Sequence, residues 1–204
     1  LPSPGDSRAP APRPAGSGLV IITNAGANVL LTNSTAWLAS FTLTNKTLVF
    51  SNWATALYAT NVLIRNNGWL TLPGVFTNGV MSNRVYVVCS NFTLEAGGII
   101  HANSNGFFGG EGLGCGSGGP GFFGSGGAYG GRGGISLSWT GGVPYGSLSA
   151  PVDLGSGGGN GALSGANGGG AIRLEAAGLV NINGTVRANA SSTPNGNVGG
   201  GAGG

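Results

Sequence analysis

Asn61-Val-Leu-Ile-Arg-Asn-Asn-Gly-Trp-Leu-Thr-Leu72 lies over Asn91-Phe-Thr-Leu-Glu-Ala-Gly-Gly-Ile-Ile-His-Ala102 without a gap. Each stretch is an apolar–polar–apolar run, a polar or glycine turn, and a second short apolar run. Such alternation marks a strand with one buried face. Val62 and Ile64 alternate with Leu63 and Arg65, and Leu70 and Leu72 follow the turn. Asn66, Asn67, Gly68, Gly97 and Gly98 supply residues that tolerate left-handed backbone. Three more segments fit the frame: Asn28-VLLTNSTAWLA, Ser40-FTLTNKTLVFS and Leu179-VNINGTVRAN, with turns at Asn33, Asn45 and Asn183-Gly184.

These units begin 12, 21 and 30 residues apart, then nearly 90. A sandwich prefers even intervals, whereas a parallel solenoid accepts an insertion at any corner. One coil cannot bury its own core, so stacked coils share one. The expected fold is all-β, a right-handed parallel β-helix in one domain over residues 19–204. Asparagines at repeated corners are expected to form amide ladders between coils.

Glycine dominates the second half: 36 of the 45 glycines follow position 100. The richest stretches, at about 105–134, 155–170 and 195–204, read as insertions in the continuing solenoid. They stay disordered unless backbone packs on backbone, and polyglycine-II-like strands are the expected form. Gly106-Phe107-Phe108-Gly109 recurs as Gly121-Phe122-Phe123-Gly124, and Tyr129, Trp139 and Tyr145 follow as further anchors. Residues 1–18 form a proline-rich arm, with Pro2, Pro4, Pro10, Pro12 and Pro14 excluding helix and central strand. No charged n-region with an apolar h-region opens the chain at Leu1, which suggests a mature or trimmed form.

The segments GSGGGNGALSGANGGGAIRLEAAGLVNINGTVRANA (155–190) and NFTLEAGGIIHANSNGFFGG (91–110) resemble glycine-rich parallel β-helix regions of large predicted secreted and cell-surface proteins of environmental bacteria. There, a GSGGG…GGG-[AS]-I-[RW]-[IL] element precedes G-x-[IV]-x-A-[ND]-G. The counterparts are Gly155 to Leu174 and Gly184 to Asn189, with Ala190 in place of the last glycine. The resemblance implies an extracellular β-helix with a structural or adhesive role, and it carries over no catalytic residue.

Only 13 of 204 side chains are charged, and the net charge is +3. The eight cations are scattered along the sequence, without the basic stripe that nucleic acid requires. No apolar run approaches the roughly 18 residues of a membrane span. The few acids are Asp6, Glu95, Glu111, Asp153 and Glu175. Glu95 and Glu175 stand near matching strand ends and are the one pair that stacking could unite, but solvated surface acids are the expected outcome. His101 is the only histidine, and no nucleophile elbow, zinc spacing or phosphate loop accompanies it. No enzyme and no cofactor are expected.

Cys89 and Cys115 are a candidate disulfide closing a loop worth roughly 3 kcal/mol in the chain-entropy treatment. Asn33, Asn45, Asn91, Asn183 and Asn189 open N-x-S/T sequons and are candidate glycosylation sites. The expected function is that of an extracellular structural protein associating with copies of itself as a filament or surface layer. Leu1, Pro2, Pro4, Pro10, Pro12, Pro14, Phe107, Phe108, Phe122 and Phe123 are the candidate assembly contacts. The alternative is an adhesin or carbohydrate-binding module that stacks glycans on Trp37, Trp53, Trp69 and Trp139.

Overall fold

A computed structural model describes residues 18–22, 28–75, 83–119, 123–137, 139–147, 149, 151–192 and 197–204. The described residues contain strands and no helix. The chain alternates between two sheets. β1 (Leu19–Ile22), β3 (Leu38–Thr44), β5 (Leu57–Arg65) and β7 (Val85–Leu94) build the first. β2 (Val29–Leu31), β4 (Thr47–Phe50), β6 (Trp69–Thr71) and β8 (Ile99–His101) build the second. After a long excursion, β9 (Ile172–Ala176) and β10 (Val180–Ile182) both pair with β7, and β11 (Thr185–Arg187) pairs with β8. Every pairing is parallel.

The register matches most of the repeat frame. Ser40 stands opposite Asn61, Asn61 opposite Asn91, and Phe92 opposite Val180. The unit placed at Asn28 is half a turn out. Val29 pairs with Leu48 in the second sheet, and the partner of Phe41 is Val20. Both sheets use the same alternating pattern, so Val29–Leu31 imitates a first-sheet strand locally. The offset along β7 also changes, from Val85 opposite Ile172 to Phe92 opposite Val180. The extra residue is a bulge at Ala177–Leu179, where Gly178 N–H bonds to the Ser90 carbonyl at 2.7 Å.

The corners stack as the turn residues require. Asn45, Asn66 and Asn67 have φ of 50°, 45° and 59°. The Asn45 N–H reaches the Asn66 carbonyl, and the Asn67 N–H reaches that of Gly97, both at 2.9 Å. One step further, Lys46, Gly68 and Gly98 each offer a carbonyl to the next rung, at Trp69, Ile99 and Thr185. A Cβ on Gly98 would lie 2.7 Å from the Ile64 carbonyl oxygen, so only glycine fits there.

Inward positions fill one continuous core. Phe41, Leu43, Leu48 and Phe50 form one layer; Val62, Ile64, Leu70 and Leu72 the next; Phe92, Leu94, Ile100 and Ala102 a third. Each large side chain buried there contributes roughly 1.5–3 kcal/mol, so the shared interior is what holds the rungs together. Cys89 belongs to this core, whereas Cys115 lies half-buried in the glycine-rich excursion, and the two are not bonded to each other. The expected disulfide is therefore absent: the Cys89 side chain is committed to the interior between the sheets.

The excursion is ordered by backbone packing. Leu154–Gly159 is buried along its whole length. Its N–H groups fan out to several neighbours: Gly155 to Gly169, Gly157 to Glu111, Gly158 to Ala166 and Gly159 to Ser125, at 2.7–2.9 Å. The carbonyls of Gly155 and Gly159 accept from Phe107 and Gly199. Glycine loses the most conformational entropy on ordering, and here the offset comes from hydrogen bonds and backbone contact. A Cβ on Gly168 would sit 1.8 Å from the Gly155 carbonyl oxygen. Two of the side chains inside are polar pins. Ser156 accepts the Gly114 N–H at 2.9 Å and donates to the Tyr145 hydroxyl at 3.0 Å, and Tyr145 donates to the Leu154 carbonyl. Phe107, Leu154 and Ala171 make a second small cluster against Trp53. The layer is stitched to the sheets where Gly170 and Gly204 donate to the carbonyls of Ala102 and Ala188.

Candidate functional site

Both ends of the stack leave core positions half open. At the far end Val180, Ile182 and Val186 are 45%, 48% and 44% exposed, although their register partners Phe92, Leu94 and Ile100 are at most 2% exposed. At the near end Val20, Ile22, Val29 and Leu31 are only partly buried, whereas the next layer, Phe41, Leu43, Leu48 and Phe50, is buried. The outward Leu19, Ile21 and Leu30 are exposed as well. Each end thus presents the edges of two parallel sheets around a strip of aliphatic side chains.

A pocket of about 430 Å³ lies beside the far end, between β9, β11 and the glycine layer. Arg84, Arg173 and Arg187 all line it, with Asp153 as the one acid. Three of the eight cations, scattered along the sequence, thus line one pocket. Register explains it. Tyr86 pairs with Arg173, which brings Arg84 near, and β11 brings Arg187 to the same end. The Arg84 guanidinium stacks over Trp53 at 4.8 Å and over Tyr86 at 4.4 Å. The Arg173 guanidinium lies 5.2 Å from the Tyr86 ring and pairs with Glu175 at 2.6 Å. Tyr86 donates its hydroxyl to Glu175 Oε1 at 2.9 Å. Burial and the neighbouring Arg173 charge hold the Arg84 pKa below its ordinary value. Burial, then the Glu175 hydrogen bond, pushes the Tyr86 hydroxyl up. The Nε atoms of Arg84 and Arg187 are buried without a hydrogen-bond partner.

The other chemical candidates are dispersed. Glu175 pairs with Val88 and not with the region of Glu95, seven positions further along that strand line, so the two acids are roughly 20 Å apart. His101 lies on an outward position and stacks on Trp69 at 6.0 Å. Among the described residues no three His, Cys, Asp or Glu gather as metal ligands, and no helix is long and apolar enough to cross a membrane.

The aromatic candidates are each engaged within the chain. Trp37 donates to Thr60 Oγ1 at 3.1 Å and tilts against Tyr58, Trp53 lies under Arg84, Trp69 against His101, and Trp139 beside Gly119. Phe107 is 2% exposed in the second cluster and so is no assembly contact. Phe108 is half-buried, and Phe123 is exposed beside Ile135 and Leu137. The arm contacts Leu1, Pro2, Pro4, Pro10, Pro12 and Pro14, and Phe122, lie outside the described residues. Among the sequon asparagines, Asn33, Asn45, Asn183 and Asn189 are exposed. Asn91 is not available: its amide bridges Asn61 Oδ1 and the Leu179 N–H, so a glycan there would break the stack. No protein-family model, curated protein or solved structure matches the chain.

Proposed function

We propose that this chain is a non-catalytic, extracellular structural protein that stacks end to end with copies of itself into a filament or layer. In this reading it is a two-sheet β-solenoid whose coils run β1–β2, β3–β4, β5–β6, β7–β8 and β9–β11, with a polyglycine-II-like layer inserted in the last turn. The alternation of the chain between two parallel sheets from β1 to β8, and its return to both through β9–β11, supports the solenoid. Its coils take the right hand, as connections between parallel strands of one sheet do in about 98% of cases.

One observation carries the stacking: Val180, Ile182 and Val186 occupy core positions and stand half exposed. The near end offers Val20, Ile22, Val29 and Leu31 in corresponding positions of the same two sheets. Placing one end on the other continues both parallel ladders and closes the aliphatic strip. Open strand edges with few charges do little to prevent this. The resemblance to β-helix regions of bacterial surface proteins supports an extracellular setting. Electron microscopy of the full chain at neutral pH tests the reading. Filaments with a constant axial repeat are expected; a monomer that persists at high concentration by sedimentation would exclude it.

A further inference from the structure

We propose that the pocket between β9, β11 and the glycine layer binds an acidic saccharide, whose carboxylate or sulfate is held by Arg84, Arg173 and Arg187. A guanidinium is a planar fork that matches the two oxygens of such a group. Three arginines line the pocket and Asp153 is the one acid among its lining residues. Two of them, Arg84 and Arg187, keep an Nε–H with no acceptor among the described residues, so neither guanidinium is fully satisfied within the chain. Two of the three are held in place: Arg84 lies against the Trp53 and Tyr86 rings, and the Glu175 carboxylate holds Arg173. An anion relieves the like-charge crowding of Arg84 by Arg173.

The rest of the pocket argues for a body larger than a bare ion. Its volume is about 430 Å³, within the roughly 300–1,000 Å³ of small-molecule sites. Tyr129 and Ile172 give it apolar walls, and Asp153 is placed to accept hydroxyl groups. An apolar wall, a hydroxyl acceptor and a cationic fork together fit a sugar ring that carries an acid. This site stands independently of the stacking reading, but Val186 borders both, so a docked copy would close the pocket.

Calorimetric titration of the full chain, dilute enough to remain unassembled, tests the proposal. Four probes are used: an oligouronate, a sulfated oligosaccharide, a neutral oligosaccharide of equal length and inorganic sulfate. Binding of the uronate or the sulfated sugar, at least tenfold tighter than either control, is expected, and the better of the two identifies the acid group. Arg187→Gln should weaken that binding at least tenfold, and Arg187→Lys, which keeps the charge and loses the fork, several-fold. Asp153→Asn, a change that keeps shape, should tighten it. Equal binding of the neutral sugar, equal binding of sulfate alone, insensitivity to both Arg187 variants, or no binding of any probe would each overturn the proposal.

Discussion

Asn91 donates its side-chain amide to Asn61 Oδ1 at 2.9 Å, and its own Oδ1 accepts the Leu179 N–H at 3.0 Å from the following rung. One side chain thus ties three successive passes of the first sheet, and it does so at the bulge where the register shifts. Replacing Asn91 by Ala removes both bonds and should cost about 1–2 kcal/mol, whereas Asn61→Ala, which loses the Asn91 bond and only a long 3.5 Å bond to the Ala39 carbonyl, should cost about 1 kcal/mol or less. Urea unfolding of the two single variants and the double variant checks this. The double variant should fall short of the sum, since the shared bond is lost once.

Gly168 and Gly131 form a matched pair for the packed glycine layer. A Cβ on Gly168 meets the Gly155 carbonyl oxygen at 1.8 Å, and the three atoms nearest it are all backbone. A Cβ on Gly131 meets nothing within 4 Å. Gly168→Ala should destabilise by about 1–3 kcal/mol or more through overpacking. Gly131→Ala should be neutral or raise stability by about 0.4–1 kcal/mol. Equal melting temperatures for the two variants would refute the packed layer.

Tyr145 makes the layer sensitive to alkali. Burial pushes its hydroxyl from 10.0 to about 12. A raised pKa means that the folded state holds the proton more tightly than the unfolded one. The stabilisation is therefore complete below pH 10, and it is lost as pH rises through about 12. Tyr86 is shifted in the same direction, so the two act together. Unfolding followed from pH 9 to 12 should show this fall, and Tyr145→Phe should flatten it.

Ile182 offers a test of the open end that leaves the interior intact. It is 48% exposed at a core position, so Ile182→Lys places a charge where a second copy would dock. The variant should fold with a circular dichroism spectrum like that of the parent, and sediment as a monomer at concentrations where the parent assembles. Filaments of unchanged length would show that this end is not the contact.

The strand units at Ser40, Asn61, Asn91 and Leu179 were legible because an apolar–polar–apolar run and an Asn or Gly corner recur in step. The first unit was not. Val20–Ile22 is an unbroken aliphatic run, while Val29–Leu31 has the better imitation of the repeat followed by a turn residue. Local pattern cannot say which of two similar sheets a strand joins. The glycine tracts left a choice between disorder and packing of backbone on backbone, and gave no sign of which segment lies at the centre, because Leu154–Gly159 differs little in composition from its neighbours. The arginine pocket was invisible. Arg84, Arg173 and Arg187 are far apart in the chain, and only the pairing of β7 with β9 and the return through β11 unites them.

The glycine layer gives the molecule two interiors with different responses to temperature. The core between the two parallel sheets is aliphatic and aromatic, so its cohesion weakens on cooling and its melting exposes apolar surface with a large positive heat-capacity change. From Gly155 to Gly159 every buried group except the Ser156 side chain is a peptide unit, whose exposure lowers the heat capacity. Calorimetry should therefore give a smaller heat-capacity increment per residue than an ordinary domain of this length. The stability curve of the chain is correspondingly flat, and the layer that looks least like a core is the part that keeps its hold in the cold.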